Sequence, residues 1–95
     1  MSEMSLREQI NCLKTMRSDL DSFCGEMHRT MDKFNEDIKY LRAQGLSIET
    51  EERYQKAYYT PAKDDVDQVV SDIYQFHFDY IDRIIERLER AASEE

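Results

Sequence analysis

The sequence predicts an all-α fold: an antiparallel helical hairpin with its second arm kinked near Pro61. Three observations carry that prediction. Apolar residues recur at helical spacing from Leu6 to Leu41, a turn signal stands at Gly45, and almost nothing supports β structure. Only two Gly and one Pro occur in 95 residues, 36% of the chain is charged, and no Val/Ile/Thr-rich alternating run is bounded by turn residues. So short a chain buries about 60 to 65% of its unfolded surface, which fits one domain, residues 1–95, of modest stability. Completion into a bundle by a second copy or a partner is therefore expected.

The first helix is predicted over about 5–44. Leu6, Ile10, Leu13, Met16, Leu20, Phe23, Met27, Met31, Phe34, Ile38 and Leu41 follow one another by three or four residues. Their mean step of about 3.5 keeps a seam turned toward a neighbour. Ser2 or Ser5 can cap the start, with Ser5 favoured because Glu8 stands three residues on and completes a capping box. Gly25 lies inside the helix at a cost of about 1 kcal/mol relative to Ala. Either another backbone approaches there or the glycine has no particular role. Arg42 in the last turn and Gly45 at the left-handed position then stop the helix.

Ser47 restarts the chain as a cap, with Glu49, Glu51 and Glu52 near the positive end of the new helix dipole. The second arm is predicted as about 48–59 and 61–92, because Pro61 disfavours helical geometry at Thr60 and the helix must end or bend there. Thr60-Pro61 with Asp64 and Asp65 also reads as a fresh helix start. Length decides for a kinked arm: residues 6–44 span about 58 Å and residues 62–93 about 48 Å, so the stretch 48–59 is needed to cover the first helix. Folding back sets Tyr54 and Tyr58 near Phe34, Ile38 and Leu41, and returns Ile84 and Leu88 toward Leu6–Leu13.

The long helix of the second arm is apolar on two sides. Val66, Val69, Ile73, Phe76, Tyr80, Ile84 and Leu88 make one stripe, taken as the core, and Val70, Tyr74, Ile81, Ile85 and Ala92 make another beside it. One partner helix covers about one stripe. The second stripe, with Phe78, is therefore expected to bind a partner: Val70, Tyr74, Phe78, Ile81 and Ile85. Seven aromatic residues between Tyr54 and Tyr80 reinforce this, since those beyond the core quota, Tyr59, Tyr74 and Phe78, are of the kind that anchors interfaces. On this reading Ile81→Asp abolishes association and spares helicity.

Composition narrows the chemistry. A formal charge of −8 disfavours nucleic acid, which needs clustered Lys and Arg, and Arg83, Arg87 and Arg90 are interleaved with Asp79, Asp82, Glu86 and Glu89 as on a solvated, salt-bridged face. No run approaches the 18 apolar residues of a membrane span, and the N-terminus lacks the basic and apolar blocks of a secretory signal. Cytoplasmic residence follows as the expectation. Cys12 and Cys24 lie about 18 Å apart along one helix and cannot pair, so reduced thiols are expected, Cys24 as a small buried hydrophobe. His28 and His77 stand in no metal-ligand spacing, and His77 reads as a packed or hydrogen-bonded histidine. The i, i+3 carboxylates Glu49/Glu52, Asp64/Asp67, Asp79/Asp82 and Glu86/Glu89 are the pattern by which all-α nucleotide hydrolases hold Mg²⁺. With 21 acidic residues, chance pairs are also expected, and no Gly-rich loop or Lys-rich pocket accompanies them. No catalytic residue, cofactor or metal is assigned.

A helical hairpin with a glycine turn at Gly45, then Tyr54-x-x-x-Tyr58-Tyr59-Thr60-Pro61, then a helix carrying Phe78-x-x-x-Asp82, resembles the WXG/LXG superfamily of type VII secretion. Where W-x-G stands in that superfamily, this chain reads Ala43-Gln44-Gly45. The resemblance implies a targeting factor or chaperone for an LXG-type toxin, with the toxin, a related small helical protein or a second copy as partner. It further implies Gly45 as the turn, Phe78 with Asp82 as an export motif, and export without a cleaved signal peptide. The alternative for the pair is an aromatic beside a salt-bridging Asp. The alternative for the whole chain is an acidic inhibitor, an immunity protein, antitoxin or phage-encoded blocker that occupies a basic site.

Overall fold

Ser5 opens the first helix. In the computed structural model, which describes residues 4–94, its Oγ accepts the Glu8 N–H at 3.1 Å and its carbonyl accepts the Gln9 N–H at 3.0 Å. The Gln9 bond is the helix's first regular one, and the hydroxyl satisfies one of the orphan donors before it. Helix α1 then runs Leu6–Ala43. Ser2, the other possible cap, lies outside the described residues.

The stop is a Schellman motif. The Leu46 N–H bonds the Leu41 carbonyl at 3.0 Å and the Gly45 N–H bonds that of Arg42 at 3.2 Å, which satisfies carbonyls the helix leaves open. Gly45 has φ 112°, where a Cβ would be strained. Ser47 caps helix α2 (Ile48–Tyr54) by accepting the Thr50 N–H at 3.1 Å. The turn therefore sits where Gly45 and Ser47 predict it.

The second arm departs from expectation at Pro61. It neither ends nor restarts there: Thr60 is helical at φ −61°, ψ −46°, and α3 runs Thr60–Asp72 through the proline. The irregularity lies one turn upstream, in a π-helical segment over Gln55–Tyr59 in which the Thr60 N–H reaches back five residues to the Gln55 carbonyl. In a regular α-helix the Pro61 ring meets the carbonyl four residues before it. The wider π turn moves that carbonyl aside, so the chain passes Pro61 as a helix. A second π-helical segment, Ile73–His77, leads into α4 (Phe78–Ser93), with the Phe78 N–H bonded to the Ile73 carbonyl. No strand occurs among the described residues.

The described residues pack as two units. In residues 24–70 the end of α1 and the start of the second arm run antiparallel about the Gly45 turn. Arg42 Nε meets Glu51 Oε2 at 2.8 Å, and Cys24, Met31, Ile38 and Val70 are buried. In residues 4–23 with 71–94, Ile10, Ile81 and Ile85 form a buried cluster against which Leu13, Leu20 and Leu88 pack. The pairs Lys14–Glu89, Arg17–Asp82 and Asp21–Tyr74 show this pairing to be antiparallel too.

The predicted faces of α4 are exchanged. Phe76 and Tyr80, taken as core, are 58% and 67% exposed, whereas Phe78, Ile81 and Ile85, taken as free, are 7%, 5% and 8% exposed. The cause is the second π segment. Along the arm the buried positions run Val70, Ile73, Phe78, Ile81, Ile85, and the step from Ile73 to Phe78 is five residues. One extra residue in a turn rotates everything beyond it by about 100°, so a stripe drawn at steps of three and four goes out of phase at that point. In α1 single positions are exchanged: Cys24 is buried and Arg17 and Asn35 are half-buried, while their neighbours Met16, Phe23 and Phe34, and also Leu41, are exposed.

Candidate interaction surface

The residues expected to bind a partner are mostly spent on the chain's own core. Val70, Phe78, Ile81 and Ile85 are buried within their units and offer no free surface. Tyr74 alone of the five is half in water; its hydroxyl donates to Asp21 Oδ1 at 3.0 Å and its ring meets Phe78 edge-on, with centroids 5.0 Å apart at 82°. The expected export pair is likewise engaged. Arg17 lays its guanidinium over the Phe78 ring at 4.4 Å and bonds both Asp82 oxygens, Nε to Oδ1 at 2.9 Å and Nη2 to Oδ2 at 3.4 Å. One cation thus ties both members of Phe78-x-x-x-Asp82 to α1, through its charge and its flat face. Arg17 is the residue the apolar stripe concealed. Its place four after Leu13 and three before Leu20 is the signal that reveals it.

What remains open to solvent is a different set of side chains. On α4, Phe76 and Tyr80 flank a shallow hollow with His77, Asp79 and Arg83, the last two paired at 3.0 Å. His77 is exposed there, not packed as its sequence position suggested, for the same five-residue step. The deeper feature lies in residues 24–70, beside the Gly45 turn. Phe34, Ile38 and Leu41 from α1, with Leu46 and Tyr54, line an apolar groove of about 380 Å³ whose polar residues are Asp37 and Thr50.

Local chemistry builds this groove. The Schellman turn places Leu46 five residues beyond Leu41, the apolar contact that usually accompanies the motif. The Ser47 cap then sets the phase of α2, so that Thr50 and Tyr54, four apart, share the side turned to α1. Tyr54 continues to Tyr58 by a tilted ring contact at 5.8 Å, and Tyr58 is exposed. The groove is therefore lined by two aromatic rings, Phe34 and Tyr54, and by the aliphatic Ile38, Leu41 and Leu46.

Four of the eight paired carboxylates meet cations. Asp67 bonds Lys63 at 3.0 Å, Asp79 meets Arg83, Asp82 meets Arg17, and Glu89 meets Lys14 at 3.8 Å. The Asp67 bond and charge hold the Lys63 ammonium above its ordinary pKa. Among the described residues no three His, Cys, Asp or Glu side chains gather as a metal site, and no helix is long and apolar enough to cross a membrane. Cys24 is fully buried, Cys12 is exposed, and the two form no disulfide.

No family model matches this chain, and comparison with curated proteins and with solved structures gives no match. Concave apolar area with a few polar groups at its edge is what a partner's apolar side chain fills. The open groove, rather than the second stripe of α4, is the surface that meets this description.

Proposed function

We propose that the chain is a non-enzymatic helical interaction protein that docks an apolar helix of a partner in the groove beside Gly45. The observation that carries this reading is the exposure of Phe34 and Leu41, at 48% and 51%, on either side of an apolar hollow. Large apolar residues left open and contiguous are the ordinary mark of an interaction site. The mechanism is helix-in-groove burial: side chains at i, i+3 and i+4 of the partner enter between the α1 residues and Tyr54 and add a third helix to the pair.

The resemblance in the turn and the Tyr54–Pro61 run supplies the partner class: the helical domain of an LXG-type toxin, for which the chain acts as targeting factor or chaperone. A second copy of the chain is the other partner of suitable chemistry. Titration of the wild-type chain with such a helical domain, followed by light scattering, tests the reading. Binding is expected to persist at about 1 M salt, where the Debye length is about 3 Å, and to weaken at least tenfold in Leu41→Asp. Unchanged binding in that variant, with its fold intact, removes the groove from consideration.

The net charge of −8 favours one second reading, the acidic inhibitor of a basic target. Binding led by charge weakens steeply with salt and ignores Leu41, so the same titration separates the two.

A further inference from the structure

The second arm is apolar in two phases, and the π segment at Ile73–His77 selects between them. With Ile73 fixed, the five-residue step presents Phe78, Ile81 and Ile85 to α1. At ordinary α spacing from the same Ile73, the residues presented are Phe76, Tyr80, Ile84 and Leu88. Every position of both series carries a large apolar residue. Ile84 and Leu88 are half-buried already and lie on the boundary between the two faces.

We propose that α4 is a two-register helix. Moving the Phe78 N–H from the Ile73 carbonyl to that of Tyr74 converts the π turn to α and rolls α4 by about 100° on the N-terminal part of α1. The roll turns Phe76 and Tyr80 inward and brings Phe78, Ile81 and Ile85 to the surface. The observed register is the ground state because it buries three large side chains and keeps Arg17 on both Phe78 and Asp82. The other register replaces these with Phe76, Tyr80 and Ile84, apolar enough to be reached without unfolding. A ligand that takes up Phe78, Ile81 and Ile85 shifts the population toward it by its preference for that state. That such a ligand exists rests on the interaction reading above, whereas the roll itself does not.

The test uses the full chain with Cys12→Ser and Ile85→Cys. Cys24, fully buried in the other unit, serves as an internal clock for global unfolding. Under native conditions a thiol reagent is expected to label position 85 about tenfold or more faster than Cys24, because the roll is a local opening. Adding Phe76→Lys and Tyr80→Lys, at positions that already face water, is expected to slow position 85 about tenfold, since the second register now buries two charges. Deleting Gln75 removes the extra residue and lets the observed face run at α spacing. The same slowing is expected, by a route that alters no exposed aromatic side chain. Labelling at position 85 that keeps pace with Cys24, or that neither change slows, overturns the proposal, because fraying of α4 is blind to both.

Discussion

Two glycines illustrate how differently the same residue is used. Gly45 sits at φ 112° with open space where a Cβ would lie, so the obstacle to a side chain is backbone strain and not crowding. Gly45→Ala is expected to lower stability by about 1–3 kcal/mol, read as a fall in the urea midpoint. Gly25 has ordinary helical geometry, and a Cβ there meets only the Arg29 guanidinium, at 3.2 Å. No backbone approaches it, so of the two explanations its sequence position allowed, close packing drops out. The tip of a long side chain moves aside easily. Gly25→Ala is therefore expected to raise stability by about 0.5–1 kcal/mol in the same measurement. The ion pairs, by contrast, join half-exposed groups, and each contributes no more than about 1 kcal/mol.

At the level of the helix, one hydrogen-bond rearrangement decides which residues are core. Ile81 lies in the cluster with Ile10 and Ile85, so Ile81→Ala is expected to cost about 2–5 kcal/mol. Ile81→Asp, which the sequence reading expected to spare helicity, buries an unpaired charge and is expected to melt residues 71–94 from α1, seen as lost far-UV ellipticity. Retained helicity in that variant is the result that tells against the burial of Ile81. The caps, the extent of α1 and the turn were all legible in the residues, because Ser5, Gly45 and Ser47 act locally. The phase of α4 was not. A π turn leaves no mark in composition, and its five-residue step looks like a break in one stripe and the start of another. Val70, Phe78, Ile81 and Ile85, expected to be free for a partner, are each buried. Pro61 is expected to end or bend the arm; the helix does not end there, Thr60 stays helical, and a π turn over Gln55–Tyr59 lies one turn upstream.

Across the molecule, the open apolar surface lies away from α4. An interaction surface was sought on the arm with two stripes, whereas the open apolar groove is formed by Leu41, Leu46 and Tyr54 around the turn. Its residues were individually visible in the sequence, with Tyr54 correctly set near Phe34, Ile38 and Leu41. Phe34 stays uncovered because half-buried Asn35, a polar residue that an apolar stripe passes over, takes the inward position beside it. The inward phase of α4 is the claim from which the corrected core of residues 4–23 with 71–94 follows. A methyl and aromatic NOESY of the full chain tests it directly. Cross-peaks from Ile10 to Ile81 and Ile85, with Phe78 ring-current shifts on the Arg17 methylenes, are the expected result. Contacts from Ile10 to Ile84 and the Tyr80 ring instead, with Ile81 seeing only solvent, would contradict it.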